Sequence, residues 1–229
     1  MNIIGDIAGN FTTLMALLKK MPDDEVYGVG DLPDRGPRSK EVIEWFVQHG
    51  KACQGNHEHM MVDTYYHGNY YDEGVWIANG GNHTVYSYDT GLEYLLGYDE
   101  YISREMARNL FEQMRRVVPV QHIEWLGTRP LYYESKSLLI SHAPKHNRGT
   151  IQECCDIGVG FQNSFGGHKE LYSFLWNRGN ASPIQDVLQV HGHNAGKDAK
   201  YFSKNFPLGV EVHTRAKLPH DKKDGLNAD

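Results

Sequence analysis

Glu25-Val26-Tyr27-Gly28-Val29-Gly30-Asp31-Leu32-Pro33-Asp34-Arg35-Gly36 is the stretch that decides the fold of this chain. A short apolar run ends abruptly in glycine, two aspartates and an arginine, which reads as a strand opening directly into a polar loop. The same pattern recurs on both sides. Upstream, Asn2 to Ile4 reads as a brief strand ending in Gly5-Asp6-Ile7-Ala8-Gly9; downstream, Lys51 to Gln54 reads as a strand ending in Gly55-Asn56-His57-Glu58. Between them, Phe11, Leu14, Met15, Leu18 and Met21 recur at helical spacing as a core stripe. Val42, Ile43, Trp45, Phe46 and Val47 lie in a second helix that stops near Gly50. Strand-helix-strand alternation predicts an α/β layered fold with a largely parallel sheet, and such sheets place ligands beyond the carboxyl ends of their strands. Three motifs are therefore expected to meet in one crevice.

From Met60 to about Arg129 the alternation gives way to a helical, aromatic-rich insert, with nine of the fourteen tyrosines between Tyr65 and Tyr101. A packed amphipathic layer is the expectation there, ahead of a stacking surface for a base or ring. Leu138 to Ile140 and Val187 to Val190 restore strands, followed by Ser141-His142-Ala143 and His191-Gly192-His193-Asn194. Beyond the last histidine only Leu208 to Thr214 reads as strand, and residues 217–229 read as a charged, frayed tail. No repeat or linker divides the chain, so residues 1–229 are expected to form a single domain.

The 229 residues, 40% apolar, suffice for one sizeable core. A net charge of -6 gives no general basic field, so broad affinity for nucleic acid or anionic membranes is not expected. Cys53, Cys154 and Cys155 are odd in number, and two are adjacent, which argues against a disulfide framework and for structural thiols in a reducing compartment. With no signal-like amino terminus and no apolar run long enough to span a bilayer, the expected location is cytoplasmic.

Asp6, Asp31, Asn56, His142 and one of His191 or His193 offer oxygen and imidazole ligands that suit manganese, iron or zinc. A two-metal centre follows, with Asp31 bridging ions roughly 3.5 to 4 Å apart. Such a pair acidifies a shared water into a hydroxide that attacks phosphorus in line with the leaving oxygen. Asp34 and His57 form a second pair, in which an imidazole held by a carboxylate protonates the leaving group. Arg35 and Arg178 supply guanidinium forks for phosphate oxygens. Taken singly, each residue has an ordinary structural explanation. Five motifs in one order, each after a predicted strand, do not.

The GDxxDRG and GNHE motifs and the later histidines resemble the metal-dependent phosphoprotein phosphatases of the calcineurin-like phosphoesterase superfamily, in size and detail most like the bacteriophage lambda type. Gly55 to Met61, Asn79-Gly80-Gly81, Pro130 to Tyr133 and Trp176-Asn177-Arg178 carry the likeness up to about residue 195. The resemblance implies a central β-sandwich flanked by helices and two Mn²⁺ ions. It implies Asp6 and Asp31 at the first ion, and Asp31, Asn56, His142 and His193 at the second. It also implies His57 with Asp34 as the acid pair, and Arg35, Arg178 and Asn56 at the substrate phosphate.

Ala8 stands where the resemblance implies a metal-ligating histidine, and a methyl group cannot coordinate. Weakened binding of the first ion and strongly reduced activity follow. A disabling change in an otherwise active enzyme is favoured over a lineage that kept binding alone, because Asp31, Asp34, Arg35, Asn56, His57, His142 and His193 are all present. The leading expectation is a phosphatase for protein serine or threonine, and also tyrosine. The alternatives are a nucleotide phosphoesterase for diadenosine polyphosphates, cyclic nucleotides or 2′,3′-phosphates, and a non-catalytic phosphate-binding relative. The walls of the crevice, among them the loop His146 to Thr150, decide between a groove for a peptide and a slot for a base.

Overall fold

Strands β1 (Asn2–Ile4), β2 (Val26–Gly28) and β3 (Lys51–Ala52) pair in parallel in that order, with Ile4 opposite Gly28 and Gly28 opposite Ala52. The chain therefore leaves all three at one edge, where the first three motifs lie. Helices α1 (Phe11–Leu18) and α2 (Ser39–His49) make the crossovers. Leu14 of α1 and Val42, Ile43 and Phe46 of α2 are buried, at the i, i+1, i+4 spacing of a helix with one apolar face.

The sequence predicts one largely parallel sheet; the computed structural model contains two. It describes residues 1–68, 74–89, 104–147, 149–155, 173–179 and 181–194, and the backbone of 200–202 and 209–211. The second sheet has the order β4-β5-β6-β8-β7, from β4 (Tyr132–Glu134), β5 (Leu138–Ser141), β6 (Leu188–His191), β7 (Lys200–Phe202) and β8 (Gly209–Glu211). Its centre, β5-β6-β8, is parallel and both edge pairs are antiparallel. The strand pair that reads as weak after the last histidine is thus present as β7 and β8, and β4 is a further strand that the periodicity does not reveal.

The two sheets face each other across Val29, Cys53 and Ile140, with Ile3, Tyr27, Tyr133 and Leu138 packed around them. Tyr27 and Tyr133 meet edge to face at 5.1 Å, and the Cys53 thiol donates to the Ile140 carbonyl at 3.5 Å. All three cysteines are free, as their number suggests. In the parallel register Ser141 lies opposite His191, so His142 and His193 emerge at neighbouring strand ends. The bond from Gly192 N to His142 O, 2.9 Å, carries the ladder one step beyond the sheet.

Helices α3 (Asn56–His67), α4 (Asn82–Tyr88), α5 (Arg104–Val117) and α6 (Val120–Gly127), with a π-helical turn at Ile77–Gly81, share one core with α1 and α2. Met61, Trp76, Met114 and Leu126 are buried in it. The short helix α7 (Ile151–Cys154) lies on the other side, where Cys154 packs with Leu139 and Phe174. The result is a β-sandwich flanked by helices. Tyr70, Tyr71, Tyr94, Tyr98, Tyr101 and the tail 217–229 lie outside the described residues. Among the described residues no helix is long and apolar enough to cross a membrane.

Candidate functional site

Backbone strain marks the crevice before any side chain is considered. Among the described residues, the non-glycine residues with positive φ are Ala8 (46°), Asp31 (54°), Asp34 (72°), Arg35 (61°), His193 (69°) and Asp186. All but the last belong to the motifs. A left-handed residue with a Cβ costs about 1–2 kcal/mol, so five in one crevice persist only where their surroundings fix them. The fixing bonds are backbone contacts between loops: Ala8 N donates to Asp31 O at 2.8 Å, Gly9 N to Leu32 O at 2.8 Å, and Gly36 N to Ala8 O at 3.0 Å.

Glu58 binds the second loop to the third. Its carboxylate has no exposure to solvent and accepts from Asp31 N at 2.9 Å, Leu32 N at 2.6 Å and Gly55 N at 2.8 Å. Burial and the charge of Asp31 push its pKa up to about 7, against the pull of those three amides. Gly55 must be glycine here, because a Cβ would overlap the Asp31 carboxylate.

Four sequence-predicted ligands come together. Asn56 Oδ1 lies 2.9 Å from His142 Nε2 and 3.0 Å from His193 Nδ1, and these two nitrogens are 3.0 Å apart. Asp31 Oδ1 stands 3.3 Å from His142 Nε2. Adjacent ligands around an octahedral ion at about 2.1 Å are about 3.0 Å apart, so the three mutual spacings match one face of a coordination sphere. Burial first, and then neighbouring charge, hold His193 down at about 2; burial holds His142 down at about 4. Both imidazoles are thus kept neutral, the form that ligates. This donor set fits a divalent ion of intermediate hardness.

The second cluster is poorer. Asp6 accepts from His193 N at 3.1 and 3.2 Å and lies 3.8 Å from His142 Nδ1. Burial and the charge of Asp31 raise its pKa to about 8. A cation between the two carboxylates would relieve that penalty. Ala8 adds only a half-buried methyl, so among the described residues Asp6 and Asp31 alone are offered to a first ion. His191 is buried behind the crevice, and the close triangle of donors uses His193 instead.

Asp34 and His57 are paired at 2.6 Å through His57 Nδ1, and His57 N donates to Asp31 Oδ1 at 3.1 Å. Burial lowers the basicity of His57, but Asp31 and Asp34 outweigh it and raise it to about 9. Arg35, expected at the phosphate, has its guanidinium 2.8 Å from His57 Nε2. A guanidinium only donates, so this contact belongs to the neutral imidazole, with a lone pair on Nε2 and the Nδ1 proton directed at Asp34, and it competes with the protonation that Asp31 and Asp34 favour. Arg178 is exposed, yet near enough for its charge to lower His193.

Three further residues complete the acid pair, none visible as a site residue in the sequence. Trp76 Nε1 donates to Asp34 Oδ2 at 2.9 Å, Thr84 Oγ1 to Asp34 Oδ1 at 2.6 Å, and Asp34 N donates to Thr84 and Ser39 hydroxyls at 2.9 and 3.0 Å. Thr84 is buried in its helix beside another polar residue, Asn82, so no break in an apolar pattern marks it.

Comparison with known proteins gives the family. Residues 2–208 match the family of calcineurin-like phosphoesterases. A symmetrical bis(5′-nucleosyl)-tetraphosphatase of Methylobacillus flagellatus is 23% identical over 193 residues, covering 82% of this chain and 58% of the relative. One of Neisseria meningitidis is 37% identical over 70 residues, covering 27% of this chain and 25% of the relative. The chain thus spans little more than half of the longer-matched relative. Among solved structures, a "putative diadenosine tetraphosphatase" superposes with a TM-score of 0.54 at 16% identity, covering 93% of this chain and 82% of that one. A cold-active protein-tyrosine phosphatase of a psychrophilic Shewanella superposes with 0.53 at 18% identity, covering 92% and 69%. The named curated relatives are nucleotide hydrolases, whereas the motifs resemble the lambda phosphatase branch; the family is common to both. This chain belongs to the calcineurin-like phosphoesterases.

Proposed function

We propose that this chain hydrolyses phosphate esters and anhydrides at the Asp31 crevice, with nucleoside polyphosphates of the dinucleoside tetraphosphate class as its substrates. The carrying observation is the convergence of Asp31, Asn56, His142 and His193 donor atoms beside the Asp34–His57 pair. Bound divalent ions supply Lewis acidity and charge neutralisation at the phosphate. Asp31, Asn56, His142 and His193 hold one ion, and Asp6 with Asp31 the other, weakly for want of a donor at Ala8. Mn²⁺ suits these donors, as do iron and zinc.

The remaining work falls to the chain itself. Exposed Arg35 and Arg178 bind phosphate oxygens at the rim. An arriving anion draws Arg35 off His57 Nε2, which then takes up a proton from solvent, as its raised basicity favours, and gives it to the leaving oxygen while Asp34 holds Nδ1. The nucleotide reading is supported by the tetraphosphatase name of a relative that matches 82% of the chain. A phosphoprotein phosphatase is the second reading, favoured by the GDxxDRG and GNHE motifs.

The test is Mn²⁺-dependent hydrolysis by this chain and by Ala8→His of diadenosine tetraphosphate, ATP and a phosphoserine peptide. The expected result is the highest kcat/KM on the dinucleotide, slow in the parent and faster in the variant. A better phosphopeptide substrate would install the second reading. Metal binding without turnover by either protein would make this a phosphate-binding relative.

A further inference from the structure

Asp34 has no exposed surface, and every polar atom it owns is committed. Oδ2 accepts from His57 Nδ1 at 2.6 Å and from Trp76 Nε1 at 2.9 Å. Oδ1 accepts from Thr84 Oγ1 at 2.6 Å, and the backbone N donates to Thr84 and Ser39 hydroxyls, themselves 3.1 Å apart. Asp34, Ser39, Trp76 and Thr84 all have no measurable exposure. Such closure is not needed for folding alone, since apolar residues of similar volume would cost less to bury.

Two of these partners come from the insert, more than forty residues along the chain. Trp76 precedes the π-helical turn Ile77–Gly81 and Thr84 lies in α4 (Asn82–Tyr88). That turn also touches the strained loop directly. Gly80 O accepts from Arg35 N at 3.2 Å, and Gly80, at φ 99°, has no room for a Cβ against Arg35. Gly81 packs flat under the Trp76 indole, where a Cβ would overlap the ring. The Asn79-Gly80-Gly81 stretch is therefore the joint by which the insert grips the Asp34-Arg35 segment.

We propose that Trp76 and Thr84 are positioning residues for leaving-group protonation: they lock the Asp34 carboxylate so that it holds His57 Nδ1–H, which aims Nε2 at the leaving oxygen. The proposal rests on the phosphoesterase reading above. The physical reason is geometric. A carboxylate held at one oxygen only can swing about its Cβ–Cγ bond, and the imidazole swings with it; donors on both oxygens fix its plane. Thr84 fixes Oδ1, and Trp76 fixes Oδ2 beside the histidine. Neither touches a metal ligand in the described contacts, so the first effect of removing them is on the proton and not on the ion.

The variants are Trp76→Phe, Thr84→Val and Thr84→Ser, made in this chain and with Ala8→His. The first readout is free of turnover: the NMR signal of the His57 Nδ1–H, assigned by its loss in His57→Asn. It should appear far downfield and exchange slowly in the parent and in Thr84→Ser, and be broadened or lost in Trp76→Phe and Thr84→Val. The second is hydrolysis of aryl phosphates of rising leaving-group basicity. General-acid catalysis is worth about 10²–10⁴-fold, and only poor leaving groups need it. The kcat of Trp76→Phe and Thr84→Val should fall about tenfold or more on phenyl phosphate and less than about twofold on p-nitrophenyl phosphate, with KM steady. Mn²⁺ affinity should be unchanged, which separates this loss from a failed metal site. A retained Nδ1–H signal in both variants overturns the proposal, as does an equal fall on all leaving groups. If the signal changes as expected while no form of the chain turns over any ester, Trp76 and Thr84 order the Asp34–His57 pair, but the phosphoesterase reading falls and the protonation role with it.

Discussion

Replacing Ala8 with histidine should convert a lopsided metal centre into a balanced one. The backbone at Ala8 is already set in the left-handed region, at φ 46°, and pinned by Ala8 N to Asp31 O at 2.8 Å, Gly36 N to Ala8 O at 3.0 Å and Asn10 Nδ2 to Ala8 O at 2.9 Å. Another L residue therefore inherits that strain and adds none. Hydrogen-bond partners outside the ligands themselves commonly govern about 10–100-fold in metal affinity, so a direct imidazole ligand should be worth at least about 100-fold. At about 1.4 kcal/mol per tenfold, that is about 2.8 kcal/mol. In calorimetric titration with Mn²⁺ the parent should bind one ion tightly and a second weakly. Ala8→His should tighten the second about 100-fold and leave the first within about threefold, because Asn56, His142 and His193 are untouched. Asp6→Asn in the Ala8→His background should lose the second ion only. Two ions of equal affinity in the parent, or no change on adding the histidine, would refute the reasoning.

Other expectations follow from single contacts. Glu58→Gln puts an amide NH₂ among three backbone donors; it should cost about 3 kcal/mol and lower the melting temperature by about 6–12 °C, and a shift under 2 °C would contradict the brace. Because the folded state raises Asp6 from 3.8 to about 8, ionising it costs the metal-free fold, a penalty absent below about pH 4 and complete above about pH 8. Metal-free Asp6→Asn should therefore match the parent in urea unfolding at pH 4 and exceed it at pH 8; a gap that narrows as pH rises would be the wrong sign. Gly192→Ala places a methyl into Asp6 Oδ1 and within 2.8 Å of Val29 Cγ2, so the weaker ion should be lost while far-UV circular dichroism is kept.

What the sequence discloses follows from which interactions are local. β1, β2 and β3 with α1 and α2 are legible because hydrophobic period switches between strand and helix within a few residues. β4 is hidden because Tyr132–Glu134 is three residues long with one side exposed, and β7 because Lys200–Phe202 offers no alternation. The second sheet is hidden for the same reason: which strands pair is a matter of distant contacts such as Tyr27 with Tyr133. Asp6, Asp31, Asn56, His142 and His193 stand out as polar groups at the ends of apolar runs. Trp76, Thr84 and Ser39 do not, since a tryptophan and two hydroxyls on helical segments are ordinary until the fold brings them to Asp34. Arg35 reads as a phosphate clamp, but no pattern in the sequence tells that its guanidinium lies against His57 Nε2.

The central claim is that Asp31, Asn56, His142 and His193 form a metal centre. Anomalous diffraction at the manganese edge from crystals grown with Mn²⁺ tests it most directly. The account predicts one strong peak bounded by Asp31 Oδ1, Asn56 Oδ1, His142 Nε2 and His193 Nδ1, and a weaker one beside Asp6 that strengthens in Ala8→His. Absence of a peak among those four atoms, or a strong peak elsewhere, would contradict it.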